Sequence, residues 1–395
     1  MKFFIWTFFW FFNRTLLWTW RGGKSCTCSL YNQAKNPVST NWLFPINMLA
    51  IIKQFFAKSH GTTVSDSRFL SLNHWLSHTF GEGLSPQLIS GDASFRRYFR
   101  ASFQGRDMVI MDTPVALIPT EPFVAVRDAY AKAGLPVPAI IAKDDKQGFM
   151  ALEDFGDVQL LSLLDRQSVR QWYPRALALL PGIASVMETE LGPLPDYDEA
   201  FVRRELSIFT EWLLGTHLQL TLTAEEDAIL AAAFDMLTDN ALAQPKVGMH
   251  RDFHSRNLMV VDNELKLLDF QDAVRGPVTY DAVSLLRDCY IRWSEDLVDD
   301  MLVEYFVLAH EHGLVPADTD MVVFRRWFEL MGLQRHIKAA GIFARLNHRD
   351  GKAGYLKDIP LTMHYIRDVA VRYKELGDFA QFIMGRVMPA LEAKA

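Results

Sequence analysis

The octet His250-Arg251-Asp252-Phe253-His254-Ser255-Arg256-Asn257 is followed, after a short interval, by Leu267-Leu268-Asp269-Phe270. These residue types at this spacing suit phosphoryl transfer. That reaction needs one carboxylate to orient and deprotonate the acceptor hydroxyl, and two oxygen ligands to hold Mg2+ against the phosphates of ATP. Asp252 suits the first role; Asn257 and Asp269 suit the second. The pattern H-R-D-x-x-x-x-N with a later strand ending in Asp carries this division of labour.

The intervening residues must bring the two ligands together. Leu258-Met259-Val260-Val261, the turn Asp262-Asn263 and Glu264-Leu265-Lys266-Leu267-Leu268 predict a β-hairpin. Its two strands would return Asn257 and Asp269 to one end, where a single ion could bridge them.

Of the 395 residues half are hydrophobic, enough for a sizeable core in two lobes. A net charge of −6 argues against a nucleic-acid binder. The three cysteines, Cys26, Cys28 and Cys289, form neither a disulfide framework nor a standard zinc pattern, which suits a reducing cytoplasm. Residues 1–63 contain seven of the 41 basic residues, five of the ten tryptophans and no Asp or Glu. The remainder therefore carries 34 basic against 47 acidic residues, a net −13. The apolar run Phe3–Phe12 is too short to span a bilayer and lacks a small-residue cleavage site. Translated upstream sequence, with initiation near Met48 or Val64, is the expectation for this leader; a membrane-surface anchor is the alternative.

From Ser65 onward the pattern is that of an ordinary globular chain. Helical spacing covers Ser67–Phe80 and Glu121–Lys132. Strands are expected over Phe95–Phe103, Asp107–Asp112, Ala139–Ala142 and Gly148–Leu152. After Leu152-Glu153-Asp154-Phe155-Gly156 helices dominate, at about 160–190, 198–219, 224–240, 278–292, 295–312, 319–348, 359–374 and 377–391.

With these residues assembled, the chain from about residue 65 to its end resembles the aminoglycoside-phosphotransferase family of small-molecule kinases. The likeness is strongest at HRDFHSRN, LLDFQD and Val278-Thr279-Tyr280-Asp281-Ala282-Val283-Ser284-Leu285-Leu286-Arg287-Asp288. It implies an α+β, protein-kinase-like fold of two lobes. The nucleotide lobe would take 65–152 and a helical, sugar-binding lobe 157–395. It also implies that Asp281 supports the catalytic loop, where an Asp can equally cap a helix, with His250 in the same supporting role, and that adenine meets the linker at Glu153 to Phe155. Gly91-Asp92-Ala93-Ser94-Phe95-Arg96-Arg97-Tyr98, Met111-Asp112-Thr113-Pro114 and the strings over 334–346 are similar to the bacterial N-acetylmuramate/N-acetylglucosamine kinases. That likeness implies phosphorylation of the anomeric hydroxyl of amino sugars in peptidoglycan recycling. Kinases for amino alcohols or aminoglycosides, and a nucleotide-binding pseudokinase, are the alternatives.

One departure from the protein-kinase pattern matters. The strand Met108-Val109-Ile110-Met111-Asp112 lacks the phosphate-binding Lys. Arg96 and Arg100, which share a strand face, are candidates to replace it, unless these arginines merely blunt an edge strand. Ser94 and its turn are candidate phosphate contacts. Within the catalytic string, His254 is a candidate substrate contact or a structural histidine. Further on, Arg335, Lys338 and Arg345 fall on one helix face roughly 80° wide. Arg335, then Lys338, are candidates for a substrate carboxylate; a solvated basic face is the plainer reading. Trp327 and Phe343 would fill the core or stack on a sugar. No stable membrane span is expected, and the sequence sets no oligomeric state.

Overall fold

The computed structural model describes residues 15–21, 25–31, 66–81, 83–91 and 96–394. Thr15–Arg21 (β1) pairs antiparallel with Ser25–Tyr31 (β2), while the apolar run Phe3–Phe12 and the expected start sites Met48 and Val64 lie outside the described residues. The chain divides into a unit ending at Ser67 and a second, compact unit over Arg68–Ala395. Among the described residues, no helix is long and apolar enough to cross a membrane.

In the second unit, α1 (Ser67–Phe80) lies on a five-stranded antiparallel sheet. The strands are β3 (Gln87–Gly91), β4 (Arg97–Phe103), β5 (Arg106–Asp112), β6 (Ile140–Asp144) and β7 (Phe149–Glu153), in the order β3-β4-β5-β7-β6. Strand alternation sorts the two faces. Met108 and Ile110 join Phe99, Phe149 and α1 residues Leu72, Trp75 and Leu76 in one small core. Met111, with Met150 and Leu152, faces the main core, which α2 (Glu121–Lys132) enters through Phe123, Val124, Val126 and Tyr130.

Two expectations for this sheet change. Because β4 lies between β3 and β5, it is an inner strand, and its arginines do not protect an edge. The strand also begins at Arg97, leaving Arg96 just outside it. Arg97 and Arg68 both pair with the fully buried Asp112, which a lone carboxylate could not tolerate.

Beyond Phe155 the chain is mainly helical, with short strand pairs at the catalytic string. β8 (Lys246–Met249) pairs with β11 (Val274–Pro277), and β9 (Leu258–Val261) with β10 (Glu264–Leu267). The β9–β10 turn, Asp262-Asn263, has φ of 49° and 62°, as a tight two-residue hairpin requires. The long helix expected over 160–190 is broken into shorter pieces, Leu160–Leu163, Val169–Leu177 and Leu180–Ser185, at the Asp165–Ser168 turn and just ahead of Pro181, while Pro174 sits within the second piece. The helix expected over 278–292 spans only Tyr280–Leu286 (α3).

At the centre of this lobe is α4 (Met321–Asp350), capped by Asp320 and ended by Gly351 in the left-handed conformation. It is buried on most sides, so its polar residues Gln334, Arg335, His336 and Lys338 are inside. Gly341 lets it approach the Ile208–Phe209 backbone, where a Cβ would stand 2.6 Å from three backbone atoms. Gly341→Ala is therefore expected to cost about 1–3 kcal/mol of stability. Urea unfolding checks this, and an unchanged midpoint would mean the helix shifts freely.

Candidate active site

The catalytic string joins β8 to β9 and is pinned from beneath by two buried carboxylates. Asp281, at the start of α3, accepts the His250 N–H (2.7 Å) and the Arg251 N–H (3.0 Å). Arg251 has φ +77°, unusual for a non-glycine, so these two bonds hold the backbone where it would not rest unaided. Burial pushes the Asp281 carboxyl up to about 7, against the two amide bonds, which favour the carboxylate. Asp288, fully buried just past α3, accepts both the N–H and the hydroxyl of Ser255. Nothing in the sequence around Ser255 assigns Asp288 this role.

Asp281→Ala is expected to lower kcat about 10²-fold through misplacement of the loop, with little change in nucleotide affinity. Steady-state kinetics with nucleotide titration check it. An unchanged kcat would show that these two bonds do not position the catalytic loop. Thr279, not Asp281, is the cap of α3.

Asn257 Nδ2 donates to the Asp252 carbonyl (3.0 Å) and lies 3.4 Å from Asp269 Oδ2. The hairpin thus brings the amide and the second carboxylate together. Asp269 has φ +62°, and the following Phe270 packs on Phe123 (5.1 Å) and Tyr130 (5.9 Å) of α2. An amide and one exposed carboxylate suit magnesium, which takes few protein ligands and completes its shell with phosphate oxygens and water.

Burial alone would raise the Asp252 carboxyl, but the charges of Lys338 and Arg251 outweigh it and hold the group at about 2. Asp252 is therefore ionised at neutral pH, as a proton acceptor must be. His250 is buried against Tyr130 and Phe253, and desolvation lowers it to about 4, so it is a neutral structural ring. His254 is also lowered by burial; its ring meets the Tyr290 ring edge-on at 5.3 Å, and its Nε2 lies 3.5 Å from Asn257 Nδ2.

Lys338 and Arg335 reach the same neighbourhood but not as a solvated face. Lys338 Nζ is 2.9 Å from Glu205 Oε1 and donates to the Tyr280 hydroxyl (2.9 Å). Glu205 also accepts from Tyr197 (2.6 Å), Arg251 (3.2 Å) and Gln334 (3.3 Å). Burial would raise the Glu205 carboxyl, but the charges of Lys338 and Arg251 keep it lowered. Arg335 is buried with its guanidinium 3.5 Å from Cys289 Sγ. Arg345, ten residues from Arg335 and hence about 15 Å along the axis, instead neighbours Arg349, Asp350, Arg204 and Glu211. Periodicity shows which residues share a face but not how far apart they lie. Phe343 stacks on Tyr355 (5.9 Å) and approaches Tyr290 (6.1 Å), whereas Trp327 packs on Phe324 (6.4 Å).

On the nucleotide side, Arg100 is engaged by two carboxylates. It forks between Asp154 (2.5 and 3.1 Å) and Asp157 (2.9 and 3.0 Å), bracing the linker. Arg96 is buried with its guanidinium 6.0 Å from the Phe123 ring. Glu153 N–H bonds the Ala139 carbonyl (2.9 Å), and the buried Phe155 lies under Lys266 (5.9 Å). Ser94 lies outside the described residues.

The model of the phosphotransferase enzyme family matches residues 85–315. The chain is 42% identical over 295 residues to the N-acetylmuramate/N-acetylglucosamine kinase of Pseudomonas putida, covering 74% of this chain and 86% of that one. It is 40% identical over 329 residues to the kinase of the same name from Pseudomonas aeruginosa, covering 80% and 96%. Among solved structures, a Plasmodium vivax ethanolamine kinase superposes with a TM-score of 0.57 at 10% identity, over 80% of this chain and 93% of that one. An ADP-bound aminoglycoside phosphotransferase, APH(2'')-Ib, gives 0.51 at 14% identity, over 78% and 99%. These two likenesses show the fold alone.

Proposed function

This chain belongs to the phosphotransferase enzyme family, and from that premise we propose that it transfers the γ-phosphoryl group of ATP to an amino sugar. N-acetylmuramate and N-acetylglucosamine are the acceptors, as in the names of its relatives, and the phosphorylated position is the anomeric C1 hydroxyl. The observation that carries the reading is the convergence of Asp252, Asn257 and Asp269 at one end of the β9–β10 hairpin.

In this reading Asp252 accepts the proton of the acceptor hydroxyl as its oxygen bonds to the γ-phosphorus and the bond to ADP breaks. An anomeric hydroxyl is more acidic than an ordinary alcohol, so a low-pKa carboxylate can assist its deprotonation as the new bond forms. Asn257 and Asp269 would hold Mg2+, which when bound offsets charge on the phosphate oxygens. Arg96 supplies cationic charge in place of the missing strand Lys; its support is its position over Phe123, which itself packs on Phe270 beside Asp269. The linker backbone from Glu153 to Phe155 receives adenine. Glu205 ties Arg251 to Lys338 and keeps the loop's charges balanced.

The basic surroundings of Asp252 disfavour a cationic aminoglycoside acceptor. Joint retention of Asp252, Asn257 and Asp269 disfavours a pseudokinase. ATP as donor fits a cytoplasmic setting and a place in peptidoglycan recycling. A panel of amino sugars, amino alcohols and aminoglycosides with coupled ADP detection tests the reading. Turnover confined to the amino sugars is expected; turnover only with the cationic acceptors, or with none, would sink it.

A further inference from the structure

We propose that Arg256 is the residue that recognises an acidic acceptor, by forking the carboxylate that N-acetylmuramate carries and N-acetylglucosamine lacks. The proposal rests on the amino-sugar reading above and assigns its selectivity to one side chain. Arg256 sits between Ser255, which Asp288 pins, and the proposed metal ligand Asn257. Its guanidinium carbon lies 3.5 Å from the centroid of the Tyr290 ring, and it is half-buried. Among the described residues it enters no hydrogen bond or ion pair.

The other cations around Asp252 are either ion-paired or buried. Lys338 is paired with Glu205, and removing it to a ligand would leave a buried carboxylate uncompensated. Arg251 shares the same carboxylate. Arg335 is buried against the Cys289 thiol.

Stacking on an aromatic ring fixes a guanidinium's plane while leaving its donors at the rim, so little freedom is lost when they fork a carboxylate. Tyr290 is also the ring that His254 meets edge-on, and His254 reaches toward Asn257. The cation is thereby fixed on the same wall as the reacting end of the loop. Behind Tyr290 the wall continues through Phe343 and Tyr355. Asp358 adds a complementary group. One of its carboxyl oxygens is buried with no hydrogen-bond partner among the described residues, and Arg256 lies close enough to affect its charge. A sugar bearing both a carboxylate and an N–H or hydroxyl donor would satisfy both groups.

The test compares kcat/KM for the two sugars in Arg256→Met, Arg256→Lys and Arg335→Met, with melting temperatures as a check on folding. In Arg256→Met the ratio of N-acetylmuramate to N-acetylglucosamine efficiency should fall by about ten- to 150-fold, mostly through KM, as expected for a lost charge-assisted bond. Arg256→Lys should recover part of the ratio, since a point charge keeps the attraction but not the fork. Equal losses on both sugars, or a ratio that moves in Arg335→Met instead, would overturn the assignment. A wild-type enzyme inert on both sugars would defeat the amino-sugar reading itself, a different outcome from an unchanged ratio.

Discussion

Asp252→Asn should lower kcat by about 10²- to 10⁴-fold, the usual contribution of a positioned general base. The replacement has nearly the same volume and keeps the backbone carbonyl that accepts from Asn257 at 3.0 Å, so the loop should survive it. Nucleotide affinity should scarcely change, because the lost interaction forms only as the acceptor proton moves. Wild-type Asp252 is held near 2 by Lys338 and Arg251 against the effect of burial, so loss of its charge also leaves those cations less balanced. A shift in melting temperature is therefore a separate readout from kcat. Rapid-quench measurement of the chemical step, with calorimetric nucleotide titration, separates the two. A variant that keeps most of its turnover would remove Asp252 as the base.

Asp269→Asn should be comparably severe, lowering kcat by about three orders of magnitude through loss of several kcal/mol of metal-borne charge stabilisation. Asn tolerates the left-handed backbone that Asp269 adopts at φ +62°, so the variant should keep its melting temperature. Its signature is the metal dependence. Nucleotide binding should lose its response to magnesium, and raised magnesium should restore little, since Asn257 is the one neighbouring ligand proposed for the same ion. Wild-type dependence on magnesium would exclude Asp269 from the metal site.

Much of this site was legible because it is local. The hairpin that returns Asp269 toward Asn257 could be read from two apolar runs and an Asp-Asn turn, and its observed register bears out that geometry. Helices Ser67–Phe80 and Glu121–Lys132 were readable from apolar spacing because each presents one buried stripe. The long central helix was readable in extent but not in surroundings. It is buried on most sides, so in place of a solvated basic face Lys338 forms an internal ion pair with Glu205 and Arg335 is buried.

Long-range pairing was the illegible part. Nothing near Ser255 announces that Asp288, 33 residues on, will hold it, nor does anything near Arg100 point to Asp154 and Asp157. The strands Lys246–Met249 and Val274–Pro277 are four residues each and contain glycine, with proline in one, so their pairing shows only in three dimensions. Arg256 illustrates the same limit. Its place in the motif was plain, but its stacking on Tyr290 depends on a residue 34 positions away.

The most direct measurement of the central claim is a proton–phosphorus correlation spectrum of the product formed from N-acetylmuramate, ATP and magnesium. The account predicts a single sugar phosphate whose phosphorus couples to the anomeric proton, formed in step with ADP. Phosphate on any other carbon, or ADP release without a phosphorylated sugar, would contradict it.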